Sequence, residues 1–250
     1  MTYAAGTPSW IDLTTPVPDQ TQAFYSALFG WTYQVGGLET NHYAMAFQQG
    51  RSAAGIAPMP AGMNVPSAWT VYFASDDISA DAERVKGLGG QVVAGPHQVG
   101  DQGWFGVFSD PTGAAFGFWQ AGTHKGAQAT DGEGSLAWVQ VNTPDSARAS
   151  AFYQALFHAS SVGIPDVDYH QLRHGEQQFA GISGMVQEGT AAHWVPYFYA
   201  SDVDAAVRRA QEQGGRALGK TLDTPFGRMA LLADPAGASF WVMNLEPHPE

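Results

Sequence analysis

The sequence predicts an α+β fold of four strand–helix–strand–strand–strand modules, and three observations carry that prediction. The chain repeats itself, its apolar residues alternate with strand period in short runs, and Gly and Pro punctuate those runs. With 30 Gly, 15 Pro, 44% hydrophobic and 12% aromatic residues in 250 positions, it reads as turn-rich and globular, not disordered.

Five repeated segments define the repeat. Trp10-Ile11-Asp12-Leu13-Thr14 and Ala23-Phe24-Tyr25-Ser26-Ala27-Leu28-Phe29 return as Trp138-Val139-Gln140-Val141-Asn142 and Ala151-Phe152-Tyr153-Gln154-Ala155-Leu156-Phe157, offset by 128 residues. Trp69-Thr70-Val71-Tyr72-Phe73 returns as Trp194-Val195-Pro196-Tyr197-Phe198, and Gly89-Gly90 as Gly214-Gly215, both offset by 125. Asp110-Pro111-Thr112-Gly113 returns as Asp234-Pro235-Ala236-Gly237, offset by 124. One order with small drift is a duplication. The small, polar, Gly-rich stretch between the copies reads as a linker. The expected organisation is a domain at 1–122, a linker at 123–134 and a second domain at 135–250, with two modules in each.

The elements follow in order. Ile11 and Leu13 alternate with Trp10, Asp12 and Thr14, which predicts a half-buried strand; Val139 and Val141 alternate likewise with Trp138, Gln140 and Asn142. Asp19 is the expected N-cap of a helix whose apolar stripe is Ala23, Phe24, Ala27 and Leu28, with Gly30 past its end. Strands are expected at 31–35, 42–48 and 53–58. After a Pro/Gly/Asn turn the unit restarts with a strand at 69–74, a helix at 78–88 ended by Gly89-Gly90, and strands near 91–94, 104–109 and 114–120.

Composition excludes several functions. Eleven Lys and Arg against 23 Asp and Glu give a formal charge of −12, which disfavours nucleic acid and anionic membrane as partners. The absence of cysteine removes disulfides, thiolate metal sites and thiol catalysis. The first residues lack a basic segment leading into a long apolar one, so a cytoplasmic location is expected. No run reaches the ~18 apolar residues of a membrane span.

The strand followed by Ala23-Phe24-Tyr25-x-x-Leu28-Phe29-Gly30-Trp31, the Gly89-Gly90 helix ending and Asp110-Pro111-x-Gly113 resemble the vicinal oxygen chelate superfamily, and Phe152-Tyr153-x-x-Leu156-Phe157, Gly214-Gly215 and Asp234-Pro235-x-Gly237 recur in the second copy. That superfamily includes glyoxalase I, bleomycin-resistance proteins and extradiol dioxygenases. The tandem form is similar to two-domain glyoxalase-like proteins, some of them named as hydroxylases. The resemblance implies two tandem glyoxalase-like domains whose paired modules form cup-shaped mixed sheets. It also implies a divalent metal in each cup, held from the first strand (His or Gln), the fourth (Glu), the fifth (His) and the eighth (Glu).

Carried over position by position, those ligands are missing. The first-strand position falls on Trp10 or Asp12, and in the second copy on Trp138 or Gln140. The fourth falls in Gly55-Ile56-Ala57-Pro58 and Gly181-Ile182-Ser183-Gly184, without a carboxylate. The fifth offers Ala68 or Thr70, and His193 or Val195; the eighth offers Gly117 and Trp241. At most Asp12 survives in copy one, and Gln140 with His193 in copy two. The expectation is therefore no metal and no other cofactor, with a divalent metal as the lesser alternative. His170 and His174 lie four apart, but on a strand that spacing is about 13 Å. His42, His97 and His124 are expected to face solvent.

If Ile11 and Leu13 pack beneath the helices, the opposite face lines a cup. That nominates Trp10, Asp12, Thr14, Thr70 and Tyr72 in copy one, and Trp138, Gln140, Asn142, His193, Val195, Tyr197, Trp241 and Met243 in copy two. Aromatic walls with a few polar groups suit a planar small molecule, neutral or cationic given the charge. Asp12 admits three roles: hydrogen-bonded structural group, ligand contact or catalytic base. His193 admits binding or proton transfer. Tyr25 and Tyr153 read as structural.

Three functions remain open. One is a binding protein that sequesters an aromatic or polyketide-like molecule. The second is a metal-independent hydroxylase, cyclase or isomerase using Asp12 or His193 as acid/base. The third is a divalent-metal lyase or dioxygenase. The small molecule is the expected partner of a monomer or homodimer.

Overall fold

The computed structural model describes residues 2–63 and 65–245. Copy one forms β1 (Pro8–Thr15), α1 (Pro18–Phe29), β2 (Thr32–Val35), β3 (Ala44–Gln48), β4 (Arg51–Pro58), β5 (Ala68–Ser75), α2 (Ile78–Gly87), β6 (Gln91–Val99), β7 (Gly103–Ser109) and β8 (Ala115–Ala121). Copy two forms β9 (Leu136–Asn142), α3 (Ser146–Phe157), β10 (Ser160–Gly163), β11 (Tyr169–His174), β12 (Gln177–Ser183), β13 (His193–Tyr199), α4 (Val203–Glu212), β14 (Arg216–Ala217), β15 (Leu222–Thr224), β16 (Gly227–Ala233) and β17 (Ser239–Asn244). This is the four-module α+β fold.

Each copy supplies one open mixed sheet. The first runs β2-β3-β4-β1-β5-β8-β7-β6 and the second β10-β11-β12-β9-β13-β17-β16-β14, with β15 paired to β16. Within a module the first and last strands pair in parallel, as in Asp12 opposite Gly55. The helix and two strands between them supply the long connection that parallel pairing requires. Among the described residues no helix is long and apolar enough to cross a membrane.

The helix starts divide between two devices. Asp77, Asp145 and Asp202 cap α2, α3 and α4, each accepting backbone N–H groups of the first turn. At α1 the expected cap fails: Val17 occupies the capping position without a side-chain bond, Pro18 begins the helix, and Asp19 lies in the first turn. Proline has no N–H to satisfy there, and the carboxylate still complements the helix dipole. The apolar stripe also differs. Phe24, Tyr25, Leu28 and Phe29 are buried, whereas Ala23 and Ala27 are exposed. The large side chains point inward because they release most from burial.

Both Gly-Gly pairs end helices by one bond pattern. Gly90 N donates to Val85 O and Gly89 N to Lys86 O, at 2.9 and 3.1 Å; Gly215 and Gly214 repeat this on Ala210 and Gln211 at 2.8 and 3.1 Å. Gly89 and Gly214 have φ of +86° and +83°, the left-handed turn that glycine adopts without a Cβ clash. The first strand of the 42–48 region starts only at Ala44, since Asn41 and His42 both have positive φ. Conversely β6 runs on to Val99, past the expected end at 94.

The chain divides into two compact units, and each draws on both copies. Unit one comprises residues through Trp10, Thr70–Gly126 and Trp138–Val195. Unit two comprises Ile11–Trp69, Ala127–Ala137 and the residues from Pro196 onward.

In unit one α2 packs with α3. Phe73 meets Phe157 at 4.5 Å between ring centres, and Tyr153 is fully buried. Its hydroxyl accepts from Trp194 Nε1 at 2.8 Å and donates to Asp110 Oδ2 at 2.9 Å. The other oxygen of Asp110 accepts from Thr112 N, Thr112 Oγ1 and Ala114 N, which closes the Asp-Pro-x-Gly turn. The repeated landmarks Tyr, Trp and Asp-Pro-x-Gly are thus parts of one buried network.

Unit two repeats the device with α1 and α4. Trp69 Nε1 donates to the buried Tyr25 hydroxyl at 3.2 Å, and Asp234 Oδ1 accepts from Ala236 N and Ala238 N, both at 2.9 Å. Burial, reinforced by the Asp234 charge, holds the Tyr25 hydroxyl well above its ordinary pKa; burial raises Asp234 in turn. The structural reading of Tyr25 and Tyr153 holds.

The presumed linker is no loose tether. Ser52 O accepts from both Gln128 N and Ala129 N, and Ala127 and Ala129 are buried. Glu133 accepts from Ser201 N, Ser201 Oγ and Arg209 Nη2.

Candidate functional site

In unit two the aromatic pair of copy two comes together. Tyr197 on β13 is the parallel register partner of Trp241 on β17, and their rings stack at 5.4 Å with 9° between planes. Such a pair contributes about 0.5–1.5 kcal/mol beyond area burial. Met243 follows two residues on, and β16 sets Leu231 opposite Trp241 and Met229 opposite Met243. Alternation turns Val242, Phe240 and Leu232 to the buried side. Trp241, Leu231 and Met229 therefore form a half-exposed wall, an apolar platform on the face away from the core.

Asp12 and Thr14, also in unit two, are half-buried on β1, as the alternation predicts. Thr14 O accepts from Ser67 Oγ at 3.0 Å. Asp12 stands opposite Gly55, and a side chain at Gly55 would collide with the Tyr43 hydroxyl and press on the Asp12 Cβ. Tyr43 thus fills the space at the fourth-strand ligand position, and glycine is the residue that lets it do so.

Unit one holds the polar half of copy two. Tyr169 lies across Gly181 just as Tyr43 lies across Gly55, and its hydroxyl accepts from Trp138 Nε1 at 3.1 Å. Burial raises the Tyr169 hydroxyl, and the Trp138 bond partly offsets that. Beside it a relay runs between β9 and β13. Gln140 Nε2 donates to Asn142 Oδ1 at 2.7 Å, and Asn142 Nδ2 lies 3.3 Å from His193 Nε2. His193 Nδ1 is 2.9 Å from Ala191 O. A carbonyl can only accept, so Nδ1 carries the proton and Nε2 is the acceptor. Val195, next inward on the strand, is fully buried.

Copy one contributes Trp10, Thr70 and Tyr72 to unit one. Thr70 is half-buried. Tyr72 lies against Gly117, where any side chain would strike its ring. Trp10 is 3% exposed, covered by the His124 ring at 4.5 Å, edge-on. Trp119 meets the same His124 ring at 5.4 Å and donates its indole proton to His124 O. His124 therefore does not face solvent: burial lowers its pKa, and Nε2 is enclosed without a partner among the described residues. His42 and His97 are exposed, as expected, although His97 lies on β6.

The residues do not fit a divalent metal. Unit one offers Gln140, Asn142 and His193, two neutral amides and an imidazole whose Nε2 is already engaged. In unit two the eighth-strand position is an indole. Hard or borderline divalent ions need carboxylates and imidazoles in number, and among the described residues no group of three or more His, Asp or Glu converges.

Sequence reasoning missed Tyr43, Tyr169, His124, Leu231 and Met229. For the tyrosines a signal existed: Tyr43 and Gly55 recur as Tyr169 and Gly181, both offset by 126.

Comparison with known proteins agrees with this architecture. The profile of the glyoxalase-like domain matches residues 10–119 and 138–243. The chain is 38% identical to CFP32 of Mycobacterium tuberculosis, provisionally named a glyoxylase, over 98% of this chain and 97% of that one. It is 36% identical to the anthracycline biosynthesis protein DnrV of Streptomyces peucetius, over 97% and 94%. Among solved structures it resembles the 2,3-dioxygenase LapB of Pseudomonas sp. KL28, with TM-score 0.67, 12% identity and coverage of 100% and 96%. It also resembles the Mn(II)-bound glyoxalase of Novosphingobium aromaticivorans, with TM-score 0.64, 14% identity and coverage of 97% and 83%. Two profile matches over most of the length and full-length relatives above 30% identity place this chain in the glyoxalase-like domain family of the vicinal oxygen chelate superfamily.

Proposed function

We propose that the chain binds a planar aromatic, polyketide-like small molecule on the second copy, without a metal, and serves to sequester it. The half-exposed platform built on the Tyr197–Trp241 stack carries this reading. An aromatic wall on the core-distal face is a surface that a flat ring can cover. The charge of −12 favours a neutral or cationic ligand over an anion. The name of DnrV, an anthracycline biosynthesis protein, supports the same substrate class. In this reading the ligand lies on the repeat at 135–250, on the part of it that belongs to unit two. Titration calorimetry with neutral and cationic polycyclic aromatics tests the proposal. Micromolar binding that falls at least tenfold in Tyr197→Ala supports it, and no heat with any of them overturns it.

A second reading is a metal-independent hydroxylase, cyclase or isomerase. The relay Gln140–Asn142–His193 favours it, because it holds one tautomer of His193 with a lone pair on Nε2. A substrate hydroxyl displacing Asn142 would meet that lone pair as a general base. Under this reading His193→Ala abolishes turnover while leaving binding within a few-fold; unchanged turnover removes His193 from the chemistry.

A further inference from the structure

The two copies differ at one pair of equivalent positions in a way that bears on what the ligand carries. In unit one Tyr72 lies directly on Gly117, and the position has no room for a side chain. The equivalent position in copy two, in unit two, holds Trp241, stacked face to face on Tyr197. Replacing glycine by tryptophan puts a bulky ring and one strong donor where copy one has only backbone.

That donor is unpaired. Trp241 Nε1 is buried and has no hydrogen-bond partner among the described residues, although the ring itself is half-exposed. An indole N–H can only donate, and enclosing it without an acceptor forfeits the bond it would make to water. In the same unit the Trp69 indole donates to the Tyr25 hydroxyl, while Trp31 Nε1, packed in the aromatic core, shares the unpaired state. Around Trp241 the neighbours in register are Leu231 and Tyr197, with Met243 and Met229 one step away. None has an acceptor stronger than a thioether or a phenol already stacked flat. Methionines are unbranched and shift readily, so a flat ligand can part them and reach the nitrogen.

We infer that the Trp241 platform recognises an aromatic ketone or quinone. The ring system lies against the Trp241–Leu231–Met229 wall, and a carbonyl oxygen of the ligand accepts the Trp241 Nε1 proton. This rests on the aromatic-binding reading above and adds the carbonyl. It separates ligands of one shape by whether they bear an oxygen at the ring edge.

The test compares two cationic probes of one outline, (anthraquinon-2-ylmethyl)trimethylammonium and (anthracen-2-ylmethyl)trimethylammonium. They are titrated into wild-type protein and Trp241→Phe, which keeps a ring and loses the donor. The inference expects the quinone to bind wild type about tenfold tighter than the anthracene, the weight of one hydrogen bond, and that ratio to fall to about one in the variant. In wild type alone, the indole proton of Trp241 should move downfield with the quinone and not with the anthracene, a readout that survives if the variant fails to fold. Equal binding of both probes to wild type overturns the carbonyl inference and leaves the aromatic site standing. The same holds if the preference persists in Trp241→Phe with an unmoved indole proton. Binding of neither probe overturns both.

Discussion

The Tyr153 hydroxyl donates to Asp110 Oδ2 across 2.9 Å, tying a helix of the second copy to a turn of the first. The same hydroxyl takes the indole proton of Trp194, so it both donates and accepts inside the protein. Tyr153→Phe leaves the indole and one carboxylate oxygen without their bonds, at about 1–3 kcal/mol. Urea unfolding should show that loss in the midpoint with little change in slope, and an unaltered midpoint would show the network to be energetically idle.

Protonation of His124 opposes the fold. Burial lowers its pKa, so the unfolded chain binds the proton more readily than the folded one. The stabilisation is then complete above the unfolded value of about 6.5 and declines as the pH falls below it. His124→Gln should flatten the stability profile between about pH 7 and 5. Two parallel profiles would rule the residue out as the source.

Two glycines at the end of α2, one inside the helix and one just past it, should respond with opposite sign. Gly87 lies in α2 with nothing within 4 Å of an added Cβ, so Gly87→Ala should stabilise by about 0.5–1 kcal/mol. At Gly90 the same atom would approach Ser109 O at 2.6 Å and Val85 Cγ1 at 2.8 Å, and Gly90→Ala should cost about 1–3 kcal/mol. Thermal melts of the two variants, moving apart from wild type, check both.

Asn142 holds the tautomer of His193. Nitrogen-detected spectra of the imidazole at pH 8 should show the proton on Nδ1, facing Ala191 O. In Asn142→Ala the Nε2 acceptor loses its donor and the Nε2–H form gains population. An unchanged tautomer ratio would mean that Ala191 alone sets it.

The fold was legible because its signals are local and doubled. Alternation at Ile11, Leu13, Val139 and Val141, and the left-handed Gly89 and Gly214, follow from backbone geometry that any such sequence must obey. Start positions were less legible. Asp19 resembles a cap, but Pro18 before it already fits the first helical position, and only the folded backbone shows which residue wins. In the candidate site, alternation placed Asp12, Gln140, Asn142 and Trp241 on the face away from the core. It could not show that Tyr43 and Tyr169 lie across Gly55 and Gly181, because that contact joins neighbouring strands. Nor could it show His124 against Trp10, since composition makes the segment a spacer while its packing makes it part of the structure.

The sharing of both copies by each compact unit bears on how the gene can be shortened. A cut between the halves leaves fragments that each own half of two cores: one keeps Asp110 without Tyr153, the other keeps Asp234 without Tyr25. Neither fragment contains what it must fold against. Truncation therefore produces two dependent pieces, and the natural remedies are complementation by the missing piece or pairing with another molecule of the same half.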